Sequence, residues 1–166
     1  MNTTTTRSPD PDMHVGFMRE ALALAADAAR IGEVPVGCVI VYQGVIIARA
    51  KNETMSRNDP TAHAEVLALR EAAAKLGNYR LTGCTVYATL EPCVMCAGAL
   101  IHARVDTLYY SAADPKAGAA GSVVSLLDHP RLNHRIAAHP GLLADDSARL
   151  LQDFFRARRS GTNTPS

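Results

Sequence analysis

Four side chains in this sequence have the types and spacing for metal-assisted chemistry. They are His63 and Glu65 in Thr61-Ala62-His63-Ala64-Glu65, and Cys93 and Cys96 in Glu91-Pro92-Cys93-Val94-Met95-Cys96. Three residues apart at the start of a helix, Cys93 and Cys96 project both sulfurs from one face of its first turn, which is chelating geometry. Pro92, with a fixed φ and no N–H, suits the first helical position, and the free N–H groups and positive dipole end there favour thiolates over thiols. Two thiolates and one neutral imidazole balance Zn²⁺ and leave the fourth tetrahedral position for water, the pattern of a catalytic site, with His63 as the third ligand. His63 and Glu65 would diverge in a helix interior, where each residue turns the chain by about 100°. The pair therefore belongs where a loop becomes a helix, with Glu65 reaching the bound water as general acid and base. Each motif alone has a plainer reading: half of a structural zinc knuckle or a redox pair for Cys-x-x-Cys, and a piece of helix for His-Ala-Glu.

Taken in this order, His-x-Glu followed by Pro-Cys-x-x-Cys is the signature of zinc nucleobase deaminases. Further stretches extend it: Gly32-Glu33-Val34-Pro35-Val36-Gly37, Asn58-Asp59-Pro60, Thr89-Leu90, Ala97-Gly98-Ala99, Lys116 through Ser122, and Asp153-Phe154-Phe155-Arg156. Together these residues resemble the bacterial tRNA-specific adenosine deaminase family, from about Met13 to Arg159. The resemblance implies a cytidine-deaminase-like three-layer α/β fold, a mixed five-stranded sheet flanked by helices, with one Zn²⁺ per subunit. It implies hydrolytic deamination of adenosine to inosine at the wobble position of a tRNA anticodon, by a cytoplasmic homodimer that binds the anticodon stem-loop. It also implies that Asn52 contacts the target nucleoside and that Asp114 and Lys116 touch the RNA, although Ala113 and Ala117 stand where Arg and Thr are expected. Read on its own, Asn52 is a turn residue bonding its own backbone. Backbone N–H groups near Ala64 and Cys93 are expected to steady the site, which puts Ala64 among the expected substrate-binding residues.

The elements that must position these groups are legible from periodicity. Apolar residues at helical spacing predict an amphipathic helix from Met13 to Ile31, capped by Asp12 and closed by Gly32. The β-branched runs Val36 to Tyr42 and Val45 to Ala50, joined by Gln43-Gly44, predict a hairpin. Ala62 to Leu76 reads as a helix capped by Thr61 and stopped by Gly77. Cys84 to Ala88, Cys93 to Ala103 and Val105 to Tyr110 read as strand, helix, strand with a right-handed crossover between parallel neighbours. Both metal-bearing helices then begin at one sheet edge, where α/β proteins place ligands. Val123 to Leu127 reads as a helical turn, Arg135 to Ala138 as a last strand, and Asp145 to Arg159 as the final helix. In that helix Phe154 and Phe155 beside Arg156, Arg158 and Arg159 can stack a splayed base and hold phosphates. The plain alternative is a packed helix with favourable C-terminal charges.

Composition bounds the rest. The 166 residues make one domain, framed by a disordered tail over residues 1–12 and a flexible one over residues 160–166. With 17 basic and 16 acidic residues, the net charge of +1 excludes a protein that coats nucleic acid indiscriminately and leaves room for a local basic patch. No apolar run is long enough to span a bilayer, so no membrane role is expected. Cys38 and Cys84 fall inside apolar strand-like runs and read as buried core thiols. His14, His102, His129, His134 and His139 lack ligand spacing and read as structural or solvated. Two other functions share much of this pattern. One is deamination of a free base or nucleoside, such as guanine or cytosine, against which the basic final helix speaks. The other is a zinc-stabilised RNA-binding module without catalysis, for which Glu65 has no use because a structural site wants a fourth ligand.

Overall fold

A computed structural model describes residues 10–161. Most of both expected tails lies outside the described residues, but their inner ends are helical. Asp10 accepts the Asp12 N–H to cap the first helix, α1 (Pro11–Arg30), and Pro11 takes its first turn, so the cap stands two residues earlier than Asp12. Gly32 follows the helix at φ 82°, a left-handed conformation that glycine adopts without strain.

The hairpin is β1 (Gly37–Tyr42) and β2 (Val45–Lys51), turned by Gln43 and Gly44, both at positive φ as a two-residue hairpin turn requires. Then come α2 (Ala64–Leu76), β3 (Cys84–Leu90), α3 (Val94–Ala103), β4 (Thr107–Ala112), β5 (Ala137–Pro140) and α4 (Ala144–Gly161). The strands form one mixed five-stranded sheet in the order β2-β1-β3-β4-β5. β1 is antiparallel to β2 and β3, whereas β3, β4 and β5 run parallel. This is the expected α/β architecture.

The two sheet faces bury different clusters. α2 and α3 cover one, with Ile40, Val86, Leu100 and Leu108 at its centre and Cys38 and Cys84 among its members. α1 and α4 cover the other, where Met18, Leu22, Val39 and Tyr87 pack. On that second face His14 is structural, as read: its Nδ1 lies 2.5 Å from the Tyr87 hydroxyl and its Nε2 3.2 Å from that of Tyr109, which also stacks on His139.

Strand register aligns the ends that matter. Lys51 at the end of β2 pairs with Gly37 at the start of β1, and Cys38 pairs with Ala88 near the end of β3. The chain therefore leaves β2 and β3 at the same sheet edge, and α2 and α3 both start there.

Three boundaries depart from the periodicity. Val105 is fully buried but lies outside the ladder, with its carbonyl accepting from His134 Nε2, so β4 begins only at Thr107. The last strand is Ala137–Pro140 rather than 135–138; it lies at the sheet edge with every residue exposed, so apolarity gives it no signal. Val123–Leu127 forms no helical turn: the Val123 and Val124 N–H groups both go to the Gly118 carbonyl, and Ala120 bridges Ser125.

Candidate active site

α2 and α3 begin in the same unusual way. The residue at each N-cap is a metal-ligand type with extended backbone and no side-chain capping bond: His63 at φ −73°, ψ 150° and Cys93 at φ −74°, ψ 177°. A cap side chain that does not fold back on its own helix is free to point across at the neighbouring helix. Thr61, the expected cap, instead bonds Asp59 Oδ1 through both its N–H (2.8 Å) and its hydroxyl (2.7 Å). Pro92 precedes the cap rather than opening the helix, and its carbonyl accepts from Ala119. His63 and Cys93 thus stand just before their first turns, His63 two positions and Cys93 one position outside where the expected helix bounds put them.

The result is a compact cluster. The ligand atoms of His63, Cys93 and Cys96 all lie within 4.8 Å of one another, the one such grouping of His, Cys, Asp or Glu side chains among the described residues. His63 Nδ1 stands 3.7 Å from Cys93 Sγ and 3.4 Å from Cys96 Sγ. Glu65 is 4% exposed, and its Oε2 accepts from the Cys96 thiol at 3.2 Å. Burial pushes the Glu65 carboxyl above the usual carboxylate range, against weaker opposing hydrogen bonds. The bond from Cys96, with further help from His63, pulls the Cys93 thiol down to about 3. Cys96 is driven the other way by the Cys93 thiolate, by its own burial and by Glu65.

This donor set fits a borderline-soft divalent cation. Two sulfurs, one imidazole and a buried carboxyl that, among the described residues, forms no ion pair with a Lys or Arg make a site whose negative groups repel one another, with His63 the one neighbour whose charge favours an ionised Glu65. A dication among the three ligand atoms would let both sulfurs carry charge. Three protein ligands would leave such a cation one coordination position for water, and Glu65, 3.2 Å from Cys96 Sγ, adjoins the grouping without being part of it.

Asn52 is brought to the site by an unforeseen bond. Its Oδ1 accepts the Ala64 N–H at 2.9 Å and so caps α2 from outside the helix. The Ala64 N–H, expected to face the substrate, is committed to this bond, while the Asn52 NH₂ remains a donor group. Glu33, 1% exposed, fixes the loop after Asn52 by accepting from Ser56 N–H (2.7 Å) and the Thr54 hydroxyl (3.2 Å). Asp114 Oδ1 turns its own loop by accepting from the N–H groups of Lys116 (3.0 Å) and Ala117 (3.2 Å), and the Lys116 side chain is exposed.

The end of α4 is divided in its roles. The Arg158 guanidinium lies over the Phe154 ring (4.8 Å to its centroid) and donates to the Gly32 carbonyl at 2.8 Å, clamping α4 to the end of α1. Phe154 is half-buried, Phe155 is 43% exposed, and Arg156 pairs with Asp153 on the surface at 3.6 Å. Sequence reasoning missed the clamp, and it assigned no role to Glu33 or Glu91. The available signal for both was a lone Glu inside an apolar stretch next to a Pro-containing turn.

Fold and site together define the class, a deaminase domain of the His-x-Glu, Pro-Cys-x-x-Cys type. Residues 13–159 match the family model of the MafB19-like deaminases. Over 144 residues, 86% of this chain and 83% of the relative, it is 46% identical to the tRNA-specific adenosine deaminase of Haemophilus influenzae. A solved structure from studies of A-to-I editing by tRNA:A34 deaminases at the wobble position of transfer RNA matches at a TM-score of 0.80 and 46% identity, covering 82% of this chain and 99% of that one. The guanine deaminase of Bacillus subtilis matches at a TM-score of 0.60 and 34% identity, covering 92% and 98%. The chain belongs to the tRNA-specific adenosine deaminase family.

Proposed function

We propose that this chain deaminates adenosine to inosine at the wobble position of tRNA anticodons, with one Zn²⁺ per subunit held by His63, Cys93 and Cys96. The observation that carries this reading is the buried Glu65 carboxyl beside the grouping of His63, Cys93 and Cys96. A structural zinc site has no use for such a carboxylate, which sets aside the non-catalytic RNA-binding module. Bound zinc lowers the pKa of water at the site to near neutrality. Glu65 takes the proton that water must lose as the water oxygen bonds to C6, then delivers protons to the ring nitrogen and to the amine, which leaves C6 as ammonia. Its raised affinity for a proton suits a group that must hold one between these transfers. Asn52, with its Oδ1 tied to Ala64, has its NH₂ left to donate to the base.

RNA binding is assigned to the exposed Phe155, to Phe154, Arg156 and Lys116, and to the loop that Asp114 turns. An exposed ring among cations stacks an unpaired base while the charges hold phosphates. Self-association as a homodimer is supported by an apolar groove between α2 and α3, lined by Val66, Leu69, Ala73, Tyr79, Ala99 and Ala103. No described helix is long and apolar enough to cross a membrane. A cytoplasmic location is part of the same proposal, since that is where a tRNA-modifying enzyme meets its substrate.

Free-base deamination is the second reading, favoured by the 34% identity to a guanine deaminase. Incubation of the purified protein with unmodified tRNA, free adenosine and free guanine separates the two. Inosine in the anticodon and no turnover of the free compounds supports the tRNA reading. Xanthine from guanine with no tRNA product replaces it.

A further inference from the structure

Glu91 is 2% exposed, and among the described residues no Lys, Arg or His forms an ion pair with it. Its carboxylate instead gathers four donors from one loop: the N–H of Asp114 (3.1 Å), the N–H groups of Ala120 (3.0 Å) and Ser122 (3.2 Å), and the Ser122 hydroxyl. Gly118 passes so close above it that a Cβ there would overlap Glu91 Oε2 and the Asp114 carbonyl. The same loop is tied to the ligand turn by its backbone, with the Ala119 N–H donating to the Pro92 carbonyl at 2.8 Å. One residue later comes Cys93.

We infer that Glu91 is a positioning residue: it holds the 114–122 loop as a fixed wall beside Cys93, and thereby sets how the substrate is seated. Four converging donors require a group that only accepts. A Gln in its place would turn an NH₂ toward these donors and leave buried N–H groups without a partner. The inference rests on the reading that the site takes its nucleotide from RNA across this loop. Because the contacts run to a wall and not to the reacting atoms, they act on substrate binding more than on turnover.

The test uses the full-length, metal-loaded protein with Glu91→Gln and Gly118→Ala, which disturb the same contact from its two sides. The expected result is a KM for an anticodon stem-loop raised on the order of tenfold, with kcat changed by less than about twofold and metal content unchanged. Amide exchange at Asp114, Ala120 and Ser122 should quicken while exchange within α2 does not. Wild-type kinetics in both variants, a fall in kcat at constant KM, or loss of metal would each overturn the inference. Should either variant fail to fold, Ser122→Ala removes only the hydroxyl donor. Faster exchange at Asp114 and Ala120 then supports the assignment, and unchanged exchange contradicts it. If the wild-type protein leaves the stem-loop unedited, the tRNA reading falls on its own, and the exchange measurements alone decide the role of Glu91.

Discussion

Cys38 and Cys84 on one hand, and Cys93 and Cys96 on the other, border the same sheet and have opposite chemistry. Burial does not separate them, since Cys38, Cys84 and Cys96 are all 0% exposed. The difference lies in what each sulfur faces. Cys38 and Cys84 lie on interior strands within the apolar core, where burial first, and the charges of Glu65 and Asp106 second, push Cys38 well above its ordinary value and the Cys84 thiol up to about 11. Cys93 and Cys96 stand at the start of α3 opposite the start of α2, within reach of an imidazole and a carboxyl. The sheet makes a reactive place only where the chain leaves it, because there two helix starts can aim side chains at one point.

Removing a ligand should break this contrast most severely. Cys96→Ala should bring bound metal from one equivalent toward none and abolish deamination, as metal analysis and an inosine assay on one preparation will show. Next in size is Glu65→Gln, which spares the ligands. It should keep the metal and the melting temperature while turnover falls by about 10²–10⁴-fold. Retained activity would remove Glu65 from the mechanism. In the core pair, Cys38→Ala should leave metal content and activity unchanged and cost about 1 kcal/mol of stability, the scale for shrinking a small buried apolar group. Loss of metal there would overturn the ligand assignment.

The smallest effect belongs to the opposite sheet face. Burial first, and the charge of His139 second, hold His14 below its ordinary value of 6.5. The unfolded chain therefore binds that proton more tightly than the folded one. The stability contributed by neutral His14 is complete above pH 6.5 and is lost as the pH falls through it toward the lower folded value. Thermal melts across this range should show a steeper acid loss for the wild type than for His14→Gln, and parallel losses would contradict the assignment.

The quartet His63, Glu65, Cys93 and Cys96 was legible in the sequence because metal chemistry restricts residue types and because both motifs sit where helices begin. The hairpin and α2 were equally plain, through Gln43-Gly44 and the left-handed Gly77. What stayed hidden depends on partners far apart in the chain. Nothing near Asn52 announces that it caps α2 at Ala64, and nothing near Arg158 that it will be spent on Gly32. The need for glycine at 118 exists only once Glu91 lies beneath it. Edge strand β5 was misplaced for a related reason: it is held by its ladder to β4 and buries none of its side chains.

X-ray absorption at the metal edge of the zinc-loaded protein tests the central contrast most directly. The assignment requires two sulfurs at about 2.3 Å and lighter donors at about 2.0–2.1 Å in the wild type, with the same spectrum in a Cys38→Ala, Cys84→Ala double variant. A third sulfur in the wild type, or a sulfur lost with the two core cysteines, would contradict it.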